Sequence, residues 1–224
     1  MTYRERASGA VAGAVVWTRA DGGDPVRVLP DGCVDLIWTD GRLVVAGPDT
    51  RAHLVPAAVP GARHTGLRFA PGTGPGLLGV PAHELRDLRV PLEDLWPGRR
   101  ARAVARRMAE AGAPGRVLEE AVGAAPPDPW TAEVVASAGR GEPVSALAAR
   151  LAISERQLHR RALRSFGYGP KTLARVLRMR RAVRLARRGL AFAEVAAVCG
   201  YADQAHLARE VRALAGVPLG ALTR

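Results

Sequence analysis

Two clusters of side chains in the last third of the chain have the residue types and spacing to read base edges. The first is Arg156, His159 and Arg160, introduced by Ser154 and Gln157. At 100° per residue, Arg156, His159 and Arg160 share one helix face while Leu158 and Ala162 lie on the other. A guanidinium can bind guanine O6 and N7 through two parallel hydrogen bonds, the commonest base-specific contact in the major groove. The second cluster is Gln204, Ala205, His206 and Arg209, with Leu207 and Val211 turned inward. Gln pairs with adenine N6 and N7, and Ala packs on a thymine methyl. His206 and Arg209 can instead contact phosphate, which adds affinity without sequence information. Taken singly, either cluster reads equally well as a solvated basic face.

The elements that must hold these side chains repeat. Leu147-Ala148, a short break, Ser154, Leu158 and Arg160 are matched 48–49 residues later by Val195-Ala196, a break, Asp203, Leu207 and Arg209. Each N-cap oxygen can accept from the first turn of the helix behind it, and Gln157, three residues after Ser154, completes a capping box. A packing helix, a tight turn and a capped second helix with basic residues is a helix-turn-helix in sequence. The pattern therefore predicts two such units, with second helices over about 154–166 and 203–214. Gly167 ends the first. Gly169-Pro170-Lys171 then opens a long helix to about Arg188, with Gly189 as its stop. Eighteen helical residues span ~27 Å, and successive major grooves on one side of DNA lie ~34 Å apart. Arg178, Arg180, Arg181, Arg184, Arg187 and Arg188 crowd this helix as a mostly solvated face with some phosphate contacts.

Charge is segregated along the 224 residues. Residues 1–128 hold 16 Arg against 15 Asp and Glu, whereas residues 129–224 hold 17 Lys and Arg against 6. Nearly all of the formal +12 thus lies in the last 96 residues. A compositional preference for Arg explains why Lys171 is the only lysine but not this asymmetry, which points to one near-neutral unit and one that meets a polyanion. The two cysteines, Cys33 and Cys199, support no disulfide framework. Residues 8–17 are apolar enough to suggest a signal-peptide core but lack a cleavage motif and read as a strand. No apolar run reaches the ~18 residues of a membrane span. A cytoplasmic protein without membrane contact is expected.

Residues 1–97 read as β-rich. Short runs at Val11–Trp17, Val26–Leu29, Cys33–Trp38, Arg42–Ala46, His53–Ala57 and His64–Phe69 are separated by turn residues, with Asp40-Gly41 a type I′ hairpin candidate. Such spacing favours a small barrel or sandwich. Pro81–Trp96 reads as short helical turns, and residues 98–128 as a helical Ala/Arg connector broken at Pro126-Pro127-Asp128-Pro129. Residues 129–224 read as all helix, making the chain α+β.

The C-terminal landmarks carry a resemblance. Leu147-Ala148, Ser154, Leu158 and Arg160, then Phe166-Gly167-Tyr168-Gly169-Pro170, Met179-Arg180-Arg181-Ala182, Gly200-Tyr201-x-Asp203-Gln204, Leu207, Arg209 and Gly216-Val217-Pro218 occur in order. This segment resembles the double helix-turn-helix domain of the AraC/XylS family of bacterial transcription regulators. The resemblance implies base-facing roles for Arg156, His159, Arg160, Gln204, Ala205, His206 and Arg209, and phosphate contact near Ser154 and Lys171. It implies double-stranded DNA as partner, and admits RNA polymerase, a small effector and a second copy of the chain as others. The chain departs from the family at Ala152, where the first turn usually carries Gly. It departs again at Ala162 and Val211, where a bulky aromatic is usual and where Phe166 and Leu214 can refill the space. Leu29-Pro30-Asp31-Gly32-Cys33 through Trp38, Gly47-Pro48 and Gly66 through Gly72 look like the small β sensor domain, cupin-like in the wider family, that precedes this tail in some members.

In the N-terminal half, Trp17 and Trp38 are candidates to line an apolar effector pocket, though core packing explains them as well. Cys33, His53, His64 and His83 are the only soft-metal ligands there and show no ligand-pair spacing, so neither metal nor cofactor is expected. Cys33 reads as an inert buried thiol. An alkyl-acceptor role would require a four-cysteine zinc site, and the chain has two cysteines. No Ser/His/Asp set or carboxylate pair marks an enzyme. The leading expectation is a DNA-binding regulator with a sensing or dimerising β domain. The alternatives are an architectural DNA-binding protein whose β domain only dimerises, and a cupin-like enzyme fused to a DNA-binding tail.

Overall fold

The computed structural model describes residues 2–124 and 128–223. Its N-terminal half is built on an antiparallel sheet of β1 (Thr2–Ala7), β2 (Val15–Ala20), β4 (Val34–Thr39), β5 (Arg42–Ala46), β7 (Arg63–Phe69) and β8 (Arg89–Pro91), ordered β1-β2-β7-β4-β5-β8. A separate pair joins β3 (Val26–Val28) to β6 (His53–Val55). The β-rich expectation holds, but the sheet is open: β1 and β8 are edges, not partners that close a barrel. Asp40 and Gly41 both take positive φ, 48° and 73°, as a type I′ turn requires, and β4 pairs with β5 from Thr39 opposite Arg42 onward.

One face of the sheet is apolar. Val16, Val34, Leu36, Leu43, Val45, Leu67 and Phe69 form a core beneath α3 (Gly98–Glu110) and α4 (Pro114–Val122). Ala101, Val104 and Met108 of α3, and Val117, Leu118 and Val122 of α4, supply one helical stripe each. The stretch expected as a connector is thus part of the β half's own core. Two short helices, α1 (Gly74–Leu78) and α2 (Leu92–Leu95), and the 3₁₀ turn Ala82–Glu84 complete this half. Strand β1, wholly exposed, is held by polar chemistry: Arg6 Nη1 and Nη2 donate to Glu119 at 3.0 and 2.7 Å, and Ser8 Oγ and the Gly9 amide donate to the same carboxylate. Arg6 first, then these two donors, draws Glu119 down to about 2.

The C-terminal half is helical: α5 (Pro129–Arg140), α6 (Val144–Arg150), α7 (Glu155–Phe166), α8 (Pro170–Arg187), α9 (Phe192–Val198), α10 (Gln204–Ala215) and a 3₁₀ turn at Leu219–Leu222. It has two cores. Leu147, Ala148, Leu158, Ala162, Phe166 and Trp130 pack with Leu173 and Val176 of α8; Val195, Ala196, Leu207, Val211 and Leu214 pack with Met179, Ala182, Val183 and Ala186 of the same helix. The first turns of α8 therefore belong to one unit and its later turns to the other. Among the described residues, no helix is long and apolar enough to cross a membrane. The expected break at Pro126-Pro127 lies outside the described residues.

Candidate nucleic-acid interface

In the first unit, α6 ends in a tight turn in which the Ile153 amide donates to Ala148 O at 3.0 Å. Ala152 sits in this turn at φ +52°, the left-handed conformation its departure from Gly calls into question. Ser154 then caps α7: its Oγ accepts from the Gln157 amide at 3.2 Å, and Gln157 Oε1 accepts from the Ser154 amide at 2.8 Å and from its hydroxyl at 3.0 Å. Leu158, Ala162 and Phe166 bury the back of α7 completely. Arg156, Gln157, His159, Arg160, Arg161 and Arg164 remain exposed.

The second unit reproduces this arrangement with one extra residue in its turn. Gly200 takes the left-handed position at φ +72°, and the Tyr201 amide closes the turn on Ala196 O at 2.9 Å. Asp203 Oδ1 accepts from the His206 amide at 2.6 Å. His206 occupies the same third helical position as Gln157, but its Nδ1 accepts from Ala202, one residue earlier, at 3.3 Å. That extra residue is why the two repeats are offset by 48 before the turn and 49 after it. Leu207, Val211, Leu214 and Ala215 bury the back of α10, and Gln204, Ala205, Ala208, Arg209 and Arg212 are exposed.

The structure thus brings Arg156 and Arg160, and Gln204, Ala205 and Arg209, onto two free helix faces. Three candidates are partly engaged elsewhere. The oxygen of Gln157 is spent in the capping box. The imidazole of His159 lies over Gly169, where a Cβ would come within 2.6 Å of Nδ1. His206 is half-buried, edge-on to Tyr201 at 5.3 Å between centroids. Lys171 is exposed at the N-terminus of α8, beside Pro170. Sequence reasoning passed over Arg164 and Arg212, three and four residues short of the glycines that end α7 and α10; the helical period that grouped Arg156 with Arg160 also reaches them.

Along α8 the arginines divide. Arg175 forks onto Glu210 at 2.9 and 3.1 Å; Arg178 lies 4.3 Å above the Tyr201 ring and donates to Gly200 O; Arg187 donates to Leu222 O; Arg180 pairs with Asp31 at 3.0 Å. Arg175 first lowers the pKa of Glu210. Arg181, Arg184 and Arg188 are exposed and form no ion pair among the described residues.

In the N-terminal half, the pair expected to line an effector pocket points to opposite faces. Trp17 stands opposite Gly66 and Trp38 opposite Thr65, adjacent residues of β7, so alternation separates them. Trp38 packs on the apolar core, whereas Trp17 Nε1 donates to Asp35 Oδ1 at 2.6 Å on the other face. No single cavity of this sheet can be walled by both. Burial first, then the Asp31 carboxylate, pushes the Cys33 thiol well up, which disfavours the thiolate. His64 bridges Thr39 at 2.8 Å and Asp21 at 2.9 Å, a chain that ties three strand ends. Among the described residues no group of three or more His, Cys, Asp or Glu could hold a metal ion. An open cleft of about 480 Å³ lies between the halves, walled by Val11, Leu77 and Val80 on one side and Arg164 and Ser165 of α7 on the other.

Residues 147–224 match the family model of a helix-turn-helix domain, and residues 14–91 match one described as a domain of unknown function. No curated protein matches the chain in sequence. Among solved structures, the chain is similar to an apo form of ToxT from Vibrio cholerae, at 11% identity over 92% of each chain with a TM-score of 0.45. It is also similar to a 1.65 Å structure of ToxT from Vibrio cholerae, at 9% identity over 99% of this chain and 98% of that one, with a TM-score of 0.44.

Proposed function

We propose that this chain, whose residues 147–224 form an AraC-type helix-turn-helix domain, is a sequence-specific DNA-binding transcription regulator that lays α7 and α10 in adjacent major grooves of one duplex. The observation that carries the reading is the pairing of Arg160 and Arg209. Each is exposed, each lies six residues beyond a side-chain-capped helix start, and each stands opposite a buried back. Both units are bound to the single helix α8, whose 18 residues rise about 27 Å, compatible with a groove spacing of about 34 Å.

In this reading Arg160 and Arg209 read base edges, with Arg156, Gln204 and Ala205 beside them. Gln157 offers its amide nitrogen, since its oxygen holds the cap. His159 and His206 shape the helix starts and border the groove. Ser154 and Lys171 meet phosphate at the N-termini of α7 and α8, where free backbone N–H groups favour anions. Arg164 and Arg212 extend the phosphate contacts. The β half, with α3 and α4 in its core, carries control by a small effector. The interdomain cleft beside α7 offers space for such a molecule, with Arg164 as a partner for an acidic group.

Selection from random oligonucleotides with the full chain tests the reading. A defined pair of half-sites about one helical turn apart is expected, protected as one footprint. Uniform coating without a selected sequence would instead support the architectural alternative. For the effector, ligand-induced thermal stabilisation of the full chain that is lost in Arg164→Ala is expected; stabilisation unchanged by that substitution would place the site elsewhere.

A further inference from the structure

The β half touches the C-terminal ends of both recognition helices. Arg86, in the loop after the 3₁₀ turn Ala82–Glu84, donates from Nη1 to Gly167 O, the residue that ends α7, at 3.4 Å. Arg27, on β3, donates from Nη1 to Ala215 O, the last residue of α10, at 3.0 Å. The last carbonyls of a helix have no partner within it and carry the negative end of its dipole, so a guanidinium there is favourable. We propose that Arg27 and Arg86 are positioning residues for DNA reading: through them the β half sets the aim of both recognition helices at once. The inference rests on the DNA-reading function proposed above.

Other contacts make the β half a firm support for these two arginines. The Ala52 amide donates to Leu214 O at 2.7 Å, a second bond to the end of α10. Asp31 pairs with Arg180 midway along α8. Gly72 lies flat against α7, where a Cβ would come 2.6 Å from the Phe166 ring, and Gly32 approaches Leu173 of α8 less closely, at 3.3 Å for an added Cβ. Leu29 packs on the core of the second unit. The two readers are therefore joined twice, once through α8 and once through the β half.

Magnitudes show why the second connection matters. A 12-residue recognition helix is about 18 Å long. Tilting it by about 10° moves its far end by about 3 Å, close to the rise of one base pair. Small rotations about α8 would thus blur the register between half-sites, and a grip on the C-terminal end of each reader opposes them. Both arginines are exposed and their contacts are polar, so removing them leaves the cores of all units intact.

The test uses the full chain and the site it selects, together with the same site carrying one inserted base pair between the half-sites. The wild type is expected to bind the lengthened site about tenfold or more weakly, because an inserted pair both moves and rotates one half-site. Arg27→Ala with Arg86→Ala is expected to lose some affinity for the selected site and to lower that discrimination to about threefold or less. Arg27→Lys with Arg86→Lys, which keeps a donor and a charge, should recover most of it. A double alanine variant that keeps the wild-type ratio, whatever its absolute affinity, overturns the proposal. Should that variant fail to fold by circular dichroism, Arg27→Ala alone must relax spacing discrimination, and an unchanged ratio there is equally decisive. A wild type that selects no site sinks the DNA reading itself, and this is visible before any variant is made.

Discussion

The two helix-turn-helix units have recognition helices of equal length and an arginine at the same exposed position, yet different chemistry holds them in place. The first is anchored by aromatic packing: Trp130 of α5 stacks on Phe166 at 5.9 Å, and Arg161 lies 4.3 Å over the same indole. At the position of Arg161 the second unit carries Glu210, which binds Arg175 and Arg178 of α8. Apolar burial depends little on salt and pH, whereas half-exposed ion pairs depend on both. One geometry is thus reached by two routes, and the first unit, through Phe166 against Gly72, is the one more deeply joined to the β half.

The comparison breaks most sharply at Phe166. Phe166→Ala should cost about 3–5 kcal/mol by leaving a cavity where α5, α7 and Gly72 meet. Urea unfolding would measure it. A loss under about 1 kcal/mol would mean the aromatic anchor matters no more than the ionic one. At the surface, Arg160→Ala and Arg209→Ala should each weaken binding to the selected site by about 1–3 kcal/mol. Titrations against selected and random DNA would check this, and equal losses on both would reassign either residue to phosphate.

A smaller contrast lies in the turns. Ala152→Gly should stabilise the chain by about 1 kcal/mol, because Gly takes a positive φ without a Cβ clash, and Gly200→Ala should cost about as much. Thermal unfolding of the pair would show opposite shifts; shifts of one sign would show that turn strain does not decide stability here. The least effect concerns pH. Glu210 is held below its ordinary 4.5 by Arg175, so its contribution is full above that value and is lost as pH falls through the lowered one. The exposed pair is worth about 0.5–1 kcal/mol. Glu210→Gln should therefore flatten the acid limb of stability between about pH 4.5 and the lowered value, and an unaltered limb would remove the ionic anchor from the account.

The C-terminal half was legible because its signals are local. Ser154, Gln157 and Asp203 act on amides three residues away, and the apolar backs repeat at helical spacing within a single helix. The β half was less so. Strand β1, Thr2–Ala7, has no buried residue and hence no alternation to read, and β8 is three residues ending in Pro91. Trp17 and Trp38 were readable as strand residues, but which face each one takes depends on the register of β7 between their strands. The role of α3 and α4 in the core of the sheet was hidden too, since an apolar stripe does not name the surface it covers.

At the candidate interface the same limit recurs. Periodicity grouped Arg156, His159 and Arg160 on one side of α7, but only packing on Gly169 separates His159 from the arginines. Arg27 and Arg86 carry no pattern at all, since each lies far along the chain from the helix end it meets.

What the sequence alone determined is therefore the pair of capped helices, the length of the helix between them and the charge of the half that bears them, because each depends on neighbours within a few turns of chain. Tertiary structure decided which faces stay open, which arginines of α8 are engaged and how the sheet grips both helix ends. Those outcomes depend on contacts between residues as far apart as Arg27 and Ala215, whose meeting no local spacing encodes.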